Sequence, residues 1–252
     1  MQKKYKYIVI LIVILITFSL IKIITYKKNE SSKVKNIGTT LSERIYNLHD
    51  IVNKDSGLYK VNNKYIFKAN PNNYIIFNEE LWRIVSLEED GTIKIVRNEL
   101  LNIEKDYENA IEYLNTKYYN SIKNKEYIIE HDYDITYYDI GKLTSEETLY
   151  NQKSIQKEKY KVGMLNVIEV ANATTYVTLD EYLNIFFWVN RKTNYLYLNE
   201  KWLTMTPNVY IEYDFLKEKE NINSFIRPVV HLNKELKIAS GLGTKSSPYI
   251  IE

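Results

Sequence analysis

Asn70-Pro71-Asn72-Asn73-Tyr74-Ile75-Ile76-Phe77-Asn78, Glu79-Glu80-Leu81-Trp82-Arg83-Ile84-Val85-Ser86 and Leu87-Glu88-Glu89-Asp90-Gly91-Thr92-Ile93-Lys94-Ile95-Val96-Arg97 follow one another without a break. They read as three strands joined by two tight turns. Asp90-Gly91 is the stronger turn signal: Gly takes φ > 0 without a Cβ clash and Asp tolerates it, so a type I′ hairpin is expected there. Asn78-Glu79 is the second turn, with Glu where a Gly would be usual. Beyond Gly91 the residues alternate, Ile93 and Ile95 to one side, Thr92, Lys94 and Val96 to the other. Period two is the strand signal. Trp82 and Phe77 add aromatic area to a sheet expected to bury one face. Glu88-Glu89-Asp90 reads as a solvated hairpin end.

Outward from this meander, the flanking segments fall into place. Leu58–Val61 and Lys64–Phe67 predict a hairpin over Asn62-Asn63. Leu41, Ile45 and Leu48 form an apolar stripe, which predicts a short amphipathic helix capped by Thr39 or Thr40. Ile103 to Ile122 is the clearest helix, with Ala110, Ile111, Leu114, Tyr118 and Ile122 at spacings of three and four, packing from about Tyr107. Lys123 to Lys159 reads as strand fragments and long loops anchored by Ile128 and Ile135. Further strands are expected at Lys161–Val167, Trp202–Pro207, Phe225–Leu232 and Ser247–Ile251. A short helix is expected from Thr178, and a turn at Gly241–Thr244. The fold class is α+β: one domain with a twisted, mostly antiparallel sheet and one or two packed helices.

The N-terminus carries a different signal. Lys3, Lys4 and Lys6 precede an apolar run from Tyr7 to Ile24, broken only by Thr17, Ser19 and Lys22. At 1.5 Å per residue this run nearly crosses a ~30 Å hydrocarbon core, and Lys22 can snorkel. No small-x-small cleavage site follows, so an uncleaved anchor is expected. The organisation is residues 1–28 as cytoplasmic tip and transmembrane helix, 29–57 as stalk, and 58–252 as an extracellular domain. Flanking lysines are nearly balanced, so charge alone does not set the orientation.

Composition narrows the chemistry. The 252 residues carry a formal charge of +2, which implies no nucleic-acid partner. Cys is absent, which excludes disulfides, thiol nucleophiles and Cys-based metal centres. His49, His131 and His231 are far apart, and none has a second His or an acid at ligand spacing; His231 reads as a strand residue. Asn70-Pro71-Asn72 and Thr206-Pro207-Asn208 read as turns. Gly241-Leu242-Gly243 lacks the remainder of a phosphate loop. No cofactor, metal site or catalytic constellation is indicated.

The ordered blocks Ala69–Tyr74, Leu81–Val85 with Asp90–Asn98, Tyr113-Leu114-Asn115 with Tyr118-Tyr119, Lys161–Asn166, Arg227-Pro228-Val229 and Gly241–Tyr249 resemble a family of membrane-anchored proteins of low-GC Gram-positive bacteria. That family is similar, more distantly, to the C-type-lectin-like fold of formylglycine-generating enzymes. Trp202-Leu203-Thr204-Met205-Thr206-Pro207 departs from the Trp-Leu-Arg-Ser-Pro segment of that fold. The cysteines that hold copper in those enzymes have no counterpart here, and neither do the calcium triplets of sugar-binding lectins. The resemblance implies a lectin-like surface domain that binds a protein, glycan or wall polymer through long loops. Tyr133, Tyr137, Tyr138, Tyr195, Tyr197 and Tyr210 are the candidate contact residues, since Tyr gives wide amphipathic area at low entropy cost. An extracellular enzyme of unknown reaction and a purely structural envelope protein are the alternatives. Trp82, Trp202 and Arg227 are expected to be structural, with Arg227 tied to a carboxylate or to free carbonyls.

Overall fold

In the computed structural model the described residues are 17, 21–22, 38–48, 57–61, 63–138, 155–173, 194–212 and 215–252. Among them no helix is long and apolar enough to cross a membrane. The anchor expected over residues 1–28 lies outside the described residues, apart from Thr17, Ile21 and Lys22, which are helical. The helix expected from Thr178 and the side chain of His49 also lie outside them.

The chain runs α1 (Leu41–Leu48), β1 (Leu58–Val61), β2 (Lys64–Phe67), β3 (Tyr74–Phe77), β4 (Glu80–Leu87), β5 (Ile93–Arg97) and β6 (Leu101–Lys105). Next come α2 (Tyr107–Tyr113), β7 (Ile128–Ile129), β8 (His131–Asp134), β9 (Lys157–Tyr160), β10 (Val162–Gly163) and α3 (Val167–Asn172). The last strands are β11 (Lys201–Leu203), β12 (Val209–Glu212), β13 (Phe215–Glu218), β14 (Ser224–Ile226), β15 (Val229–Leu232), β16 (Ile238–Ser240) and β17 (Tyr249–Ile251). The fold is α+β and rich in antiparallel strands.

A 10-stranded sheet has the spine β10-β15-β5-β4-β3-β17-β16, with β1–β2 attached to β4 and β7 to β15. A second sheet runs β13-β12-β11-β14-β6, and β8–β9 form a separate ribbon. β17 lies parallel to β3, so the end of the chain returns to the opening meander. Lys237 exchanges hydrogen bonds with Glu252, and Ile238 N–H donates to Thr39, which brings both ends of the described fold together.

The β3–β4–β5 meander forms as expected, but its turns exchange types. Asn78 (φ 53°) and Glu79 (φ 62°) are both left-handed and link Phe77 to Glu80, which is the type I′ geometry. At the other hairpin Gly91 N–H donates to Glu88 O and Glu88 N–H to Thr92 O, with only Gly91 left-handed. That is a three-residue loop ending in a glycine bulge, so the type I′ expectation at Asp90-Gly91 is corrected. Asp90 Oδ1 accepts from both the N–H and the hydroxyl of Thr92 and holds this loop in place.

The expectation that the sheet buries one face is also corrected. Lys94 and Val96 of β5 are as buried as Ile93 and Ile95. One face of the meander carries Trp82, Ile84, Ile93 and Ile95, which belong to the same buried apolar cluster as Leu41, Ile45, Ala110 and Leu114. Phe77 and Trp82 meet edge to face at 5.5 Å on this side. The opposite face carries Arg83, Ser86, Lys94 and, from β15 directly across from Lys94, His231. It is covered by β8, by α3 and by Tyr195.

Three other expected elements change extent. Ile103 belongs to β6, and the helix starts only at Tyr107, where Asp106 accepts from Asn109 N–H as N-cap. The strand expected over Lys161–Val167 is only Val162–Gly163; Asn166 instead caps α3 in a capping box with Glu169. Phe225–Leu232 splits into β14 and β15 around Arg227-Pro228, because Pro cannot donate to a ladder. Helix α1 sits where its stripe predicts, with Thr40 and Glu43 closing its N-terminus. Leu41 and Ile45 are fully buried in the shared core.

After α2 the helix widens into a π turn over Leu114–Tyr118 and resumes at Tyr119–Ser121. The widening places Asn115 against the free side of β10. Its Oδ1 accepts from the N–H groups of Lys161 and Val162, and its Nδ2 donates to Val162 O at 2.8 Å. One side chain thus pairs with the strand as a neighbouring strand would.

Candidate functional site

A cleft of about 450 Å³ lies between the start of α2, the turn between β11 and β12, and the loop after β13. Ligand sites generally fall in this size range. Its lining combines Tyr107, Leu203, Pro207, Val209 and Ile222 with the polar Asp106, Glu108, Asn109, Asn208, Lys219 and Asn221.

Local chemistry builds each wall. Asp106 must cap α2, so its carboxylate accepts from Asn109 N–H at 2.9 Å and from Asn109 Nδ2 at 2.7 Å. These hydrogen bonds, the backbone one foremost, hold Asp106 below the usual carboxylate range. Pro207 and Asn208 (φ 61°) form a turn closed by Val209 N–H on Thr206 O, with Pro and a left-handed Asn as a type II turn requires. This is the turn expected at Thr206-Pro207-Asn208. Lys219 N–H donates to Asn208 O at 2.8 Å and closes the β12–β13 end. Asn221 (φ 51°) forms the third corner.

The floor is rigid. Thr204 Oγ1 donates to Val209 O at 2.6 Å, Val167 N–H donates to Thr206 Oγ1, and Met205 N–H donates to Leu165 O. Tyr107 donates its hydroxyl to Met205 O, and burial first, then Tyr160 and Glu158, push that phenol above its ordinary pKa. Tyr107 therefore stays protonated and fixed.

The polar face of the large sheet forms a second group of interest. Lys94 Nζ bonds Glu169 Oε1, with Lys94 buried and Glu169 partly buried. Burial works against the Lys94 ammonium, but Glu169, Glu88 and Asp134 together outweigh it and raise the pKa. Ser86 donates to Glu88, which Lys64 approaches at 3.7 Å; Glu88 is thus drawn inward and is not the solvated hairpin end expected. His231 stacks on His131 at 3.9 Å and meets Tyr133 edge-on at 5.1 Å. Neither His231 nitrogen has a hydrogen-bond partner, and burial, then Lys94, push its pKa well down. The two histidines converge as a stack rather than as a chelate. Among the described residues no three His, Asp or Glu side chains are placed to hold a metal.

The six tyrosines do not form one surface. Tyr133, Tyr138, Tyr195 and Tyr210 are buried. Tyr133 donates to Val229 O, Tyr138 to Asp134, and Tyr195 lies 4.8 Å from the Arg83 guanidinium. A buried ring cannot meet a partner, so these four are corrected to structural positions. Tyr197 is half-buried and donates to Asn199 Oδ1. Only Tyr137 is well exposed, at 52%, with its hydroxyl on Glu218.

Trp82 and Trp202 are fully buried. Arg227 lies 5.4 Å from the Trp202 ring and donates to Arg97 O, Leu196 O and Asn98 O. Carbonyls, not a carboxylate, hold it. Burial, then repulsion from Arg83, lowers its pKa to about 9. The Arg97 carbonyl is free because Pro228, which lies opposite it, has no N–H to donate.

No family model, curated protein or solved structure matches the chain. The cleft residues escaped the sequence reading because they are ordinary Asn, Lys and Glu from three distant segments. The one available signal was Asp106 as a cap, which would have placed the helix start correctly. For the polar face the signal was Asn166-x-x-Glu169, a capping box hidden by reading a strand there.

Proposed function

We propose that the protein is a membrane-anchored surface module that binds its ligand in the cleft at the start of α2 and does no chemistry there. The single observation that supports this is the cleft itself: concave, half apolar, fixed by buried hydrogen bonds, and rimmed by exposed polar side chains. The apolar run from Tyr7 to Ile24 supports the anchor, and the reading takes the domain to lie outside. The mixed sheet, the packed helices and the meeting of the two ends support a lectin-like fold. The seat for the ligand moves from the tyrosine loops to the cleft.

One observation favours the alternative of an enzyme: the buried polar face with Lys94, Glu169 and His231. Its titratable groups are enclosed, with Lys94 and His231 at 6% and 0% exposure, which suits structure better than turnover.

Two measurements test the reading. Protease added to intact protoplasts should remove the domain. Isolated envelope fraction should retain the full-length chain in nanodiscs, and Lys219→Ala with Glu108→Ala should reduce retention while Tyr137→Ala does not. Retention indifferent to the cleft pair overturns the reading.

A further inference from the structure

We propose that the cleft seats a neutral or N-acetylated sugar unit of a glycan, an inference that rests on the binding-module reading above. The argument is which polar groups of the cleft remain available. Asp106 is engaged with both donors of Asn109, so it is part of the wall. At the hairpin end the Lys219 N–H is engaged as well, with Asn208 O. What remains on the rim is the carboxamides of Asn208 and Asn221, the Oδ1 of Asn109, the ammonium of Lys219 and the carboxylate of Glu108. Each free carboxamide offers donors and an acceptor side by side.

This set discriminates between ligand classes. No Arg lines the cleft, and Lys219 is its lone cation, opposed by Glu108 and Asp106, so a phosphate or a sulfated polymer is disfavoured. A divalent cation needs several oxygens that include free carboxylates, and here only Glu108 is free of the helix cap. A peptide added as a strand would pair with the sheet edge at β13, and no β13 residue lines the cleft. A sugar needs what is present: paired donors and acceptors for adjacent hydroxyls, and an apolar floor for the ring. Tyr107, Leu203, Pro207, Val209 and Ile222 supply that floor. Asn109 Oδ1 is an acceptor of the kind an acetamido N–H requires.

Asn208 and Asn221 also carry the specificity. Both backbones are held in the left-handed region, which sets the direction in which each side chain leaves the turn. Gly adopts the same backbone without strain, so Asn208→Gly and Asn221→Gly remove the amide and leave the turn intact.

The experiment is titration of the full-length protein in detergent with tri-N-acetylchitotriose and with maltotriose, followed by calorimetry and by saturation-transfer NMR. The expected result is binding of one of the two. Asn208→Gly and Asn221→Gly should each weaken it about tenfold, equivalent to about 1.4 kcal/mol, without moving the melting temperature. Binding that ignores both substitutions overturns the proposal. If neither oligosaccharide binds while envelope retention still falls with Lys219→Ala and Glu108→Ala, the sugar class is wrong and the binding-module reading stands. If retention is also indifferent, both fall.

Discussion

The imidazole of His131 stacks on that of His231 with centroids 3.9 Å apart and planes 13° from parallel. The stack clamps the β8 ribbon to β15 of the large sheet. His131 also reaches Asp90 Oδ2 at 3.3 Å, so the clamp extends to the β4–β5 hairpin. His231 faces Lys94 across the ladder, and no carboxylate bonds it. Burial, followed by Lys94, His131 and Lys64, therefore depresses its pKa in the folded state, while the unfolded chain binds a proton near 6.5. A depressed folded pKa means stability that is complete above 6.5 and is lost as pH falls below it. Glu88, also depressed in the fold although burial opposes it, adds a further loss at lower pH. The unfolding free energy should fall by up to about 1.4 kcal/mol per pH unit below 6.5, read from denaturation at each pH. His231→Leu should flatten that slope between pH 6.5 and 5; an unchanged slope would place the acid sensitivity elsewhere.

The Lys94–Glu169 pair offers a second measurement. Glu169→Gln keeps an acceptor for the Asn166 N–H that completes the α3 capping box, but it removes the charge facing Lys94. Leaving a buried ammonium without its partner should cost about 3–5 kcal/mol. Lys94→Met combined with Glu169→Gln should recover much of that loss, because no charge is then stranded. Urea denaturation of the single and double variants gives the coupling directly. Additive losses would show that the pair is not the contact that matters.

Gly163 of β10 lies under the ring of Tyr133. A Cβ there would stand 2.4 Å from Tyr133 Cε1, and the ring cannot retreat because its hydroxyl is bonded to Val229 O. Gly163→Ala should therefore destabilise by about 1–3 kcal/mol, the range for overpacking a filled site. Tyr133→Leu added to it should relieve the clash. Near-ultraviolet circular dichroism reports the ring, and calorimetry the stability.

Core and surface aromatics should separate cleanly. Trp82→Ala empties a fully buried site and should cost about 3–5 kcal/mol. Tyr138, at 4% exposure, should also be sensitive, whereas Tyr137→Ala should shift the melting temperature little. A Trp82→Ala protein that melts like the parent would remove the meander from its central place.

The meander was legible in sequence because its contacts are local: short strands, tight turns, alternating side chains. Its turn types were not, since which residue takes φ > 0 depended on register. Asn78-Glu79 is a two-residue link and must be left-handed twice, while Gly91 closes a longer loop. Burial of Lys94 was hidden because alternation shows which residues share a face, not whether that face meets water. Only β15, more than a hundred residues later, brings His231 opposite it. The cleft was hidden for a related reason. Asp106, Asn208 and Asn221 owe their placement to a helix cap and two turns, and each looks like ordinary loop chemistry until the turns meet.

The bonds of Asn115 to β10 bear on how the molecule behaves in a crowd. An open strand margin recruits strands from other molecules, and sheets of this size invite such templated growth. Here the margin at Lys161 and Val162 is already occupied by an amide that cannot propagate a ladder. The widened turn of the helix thus closes this margin to a strand from another copy.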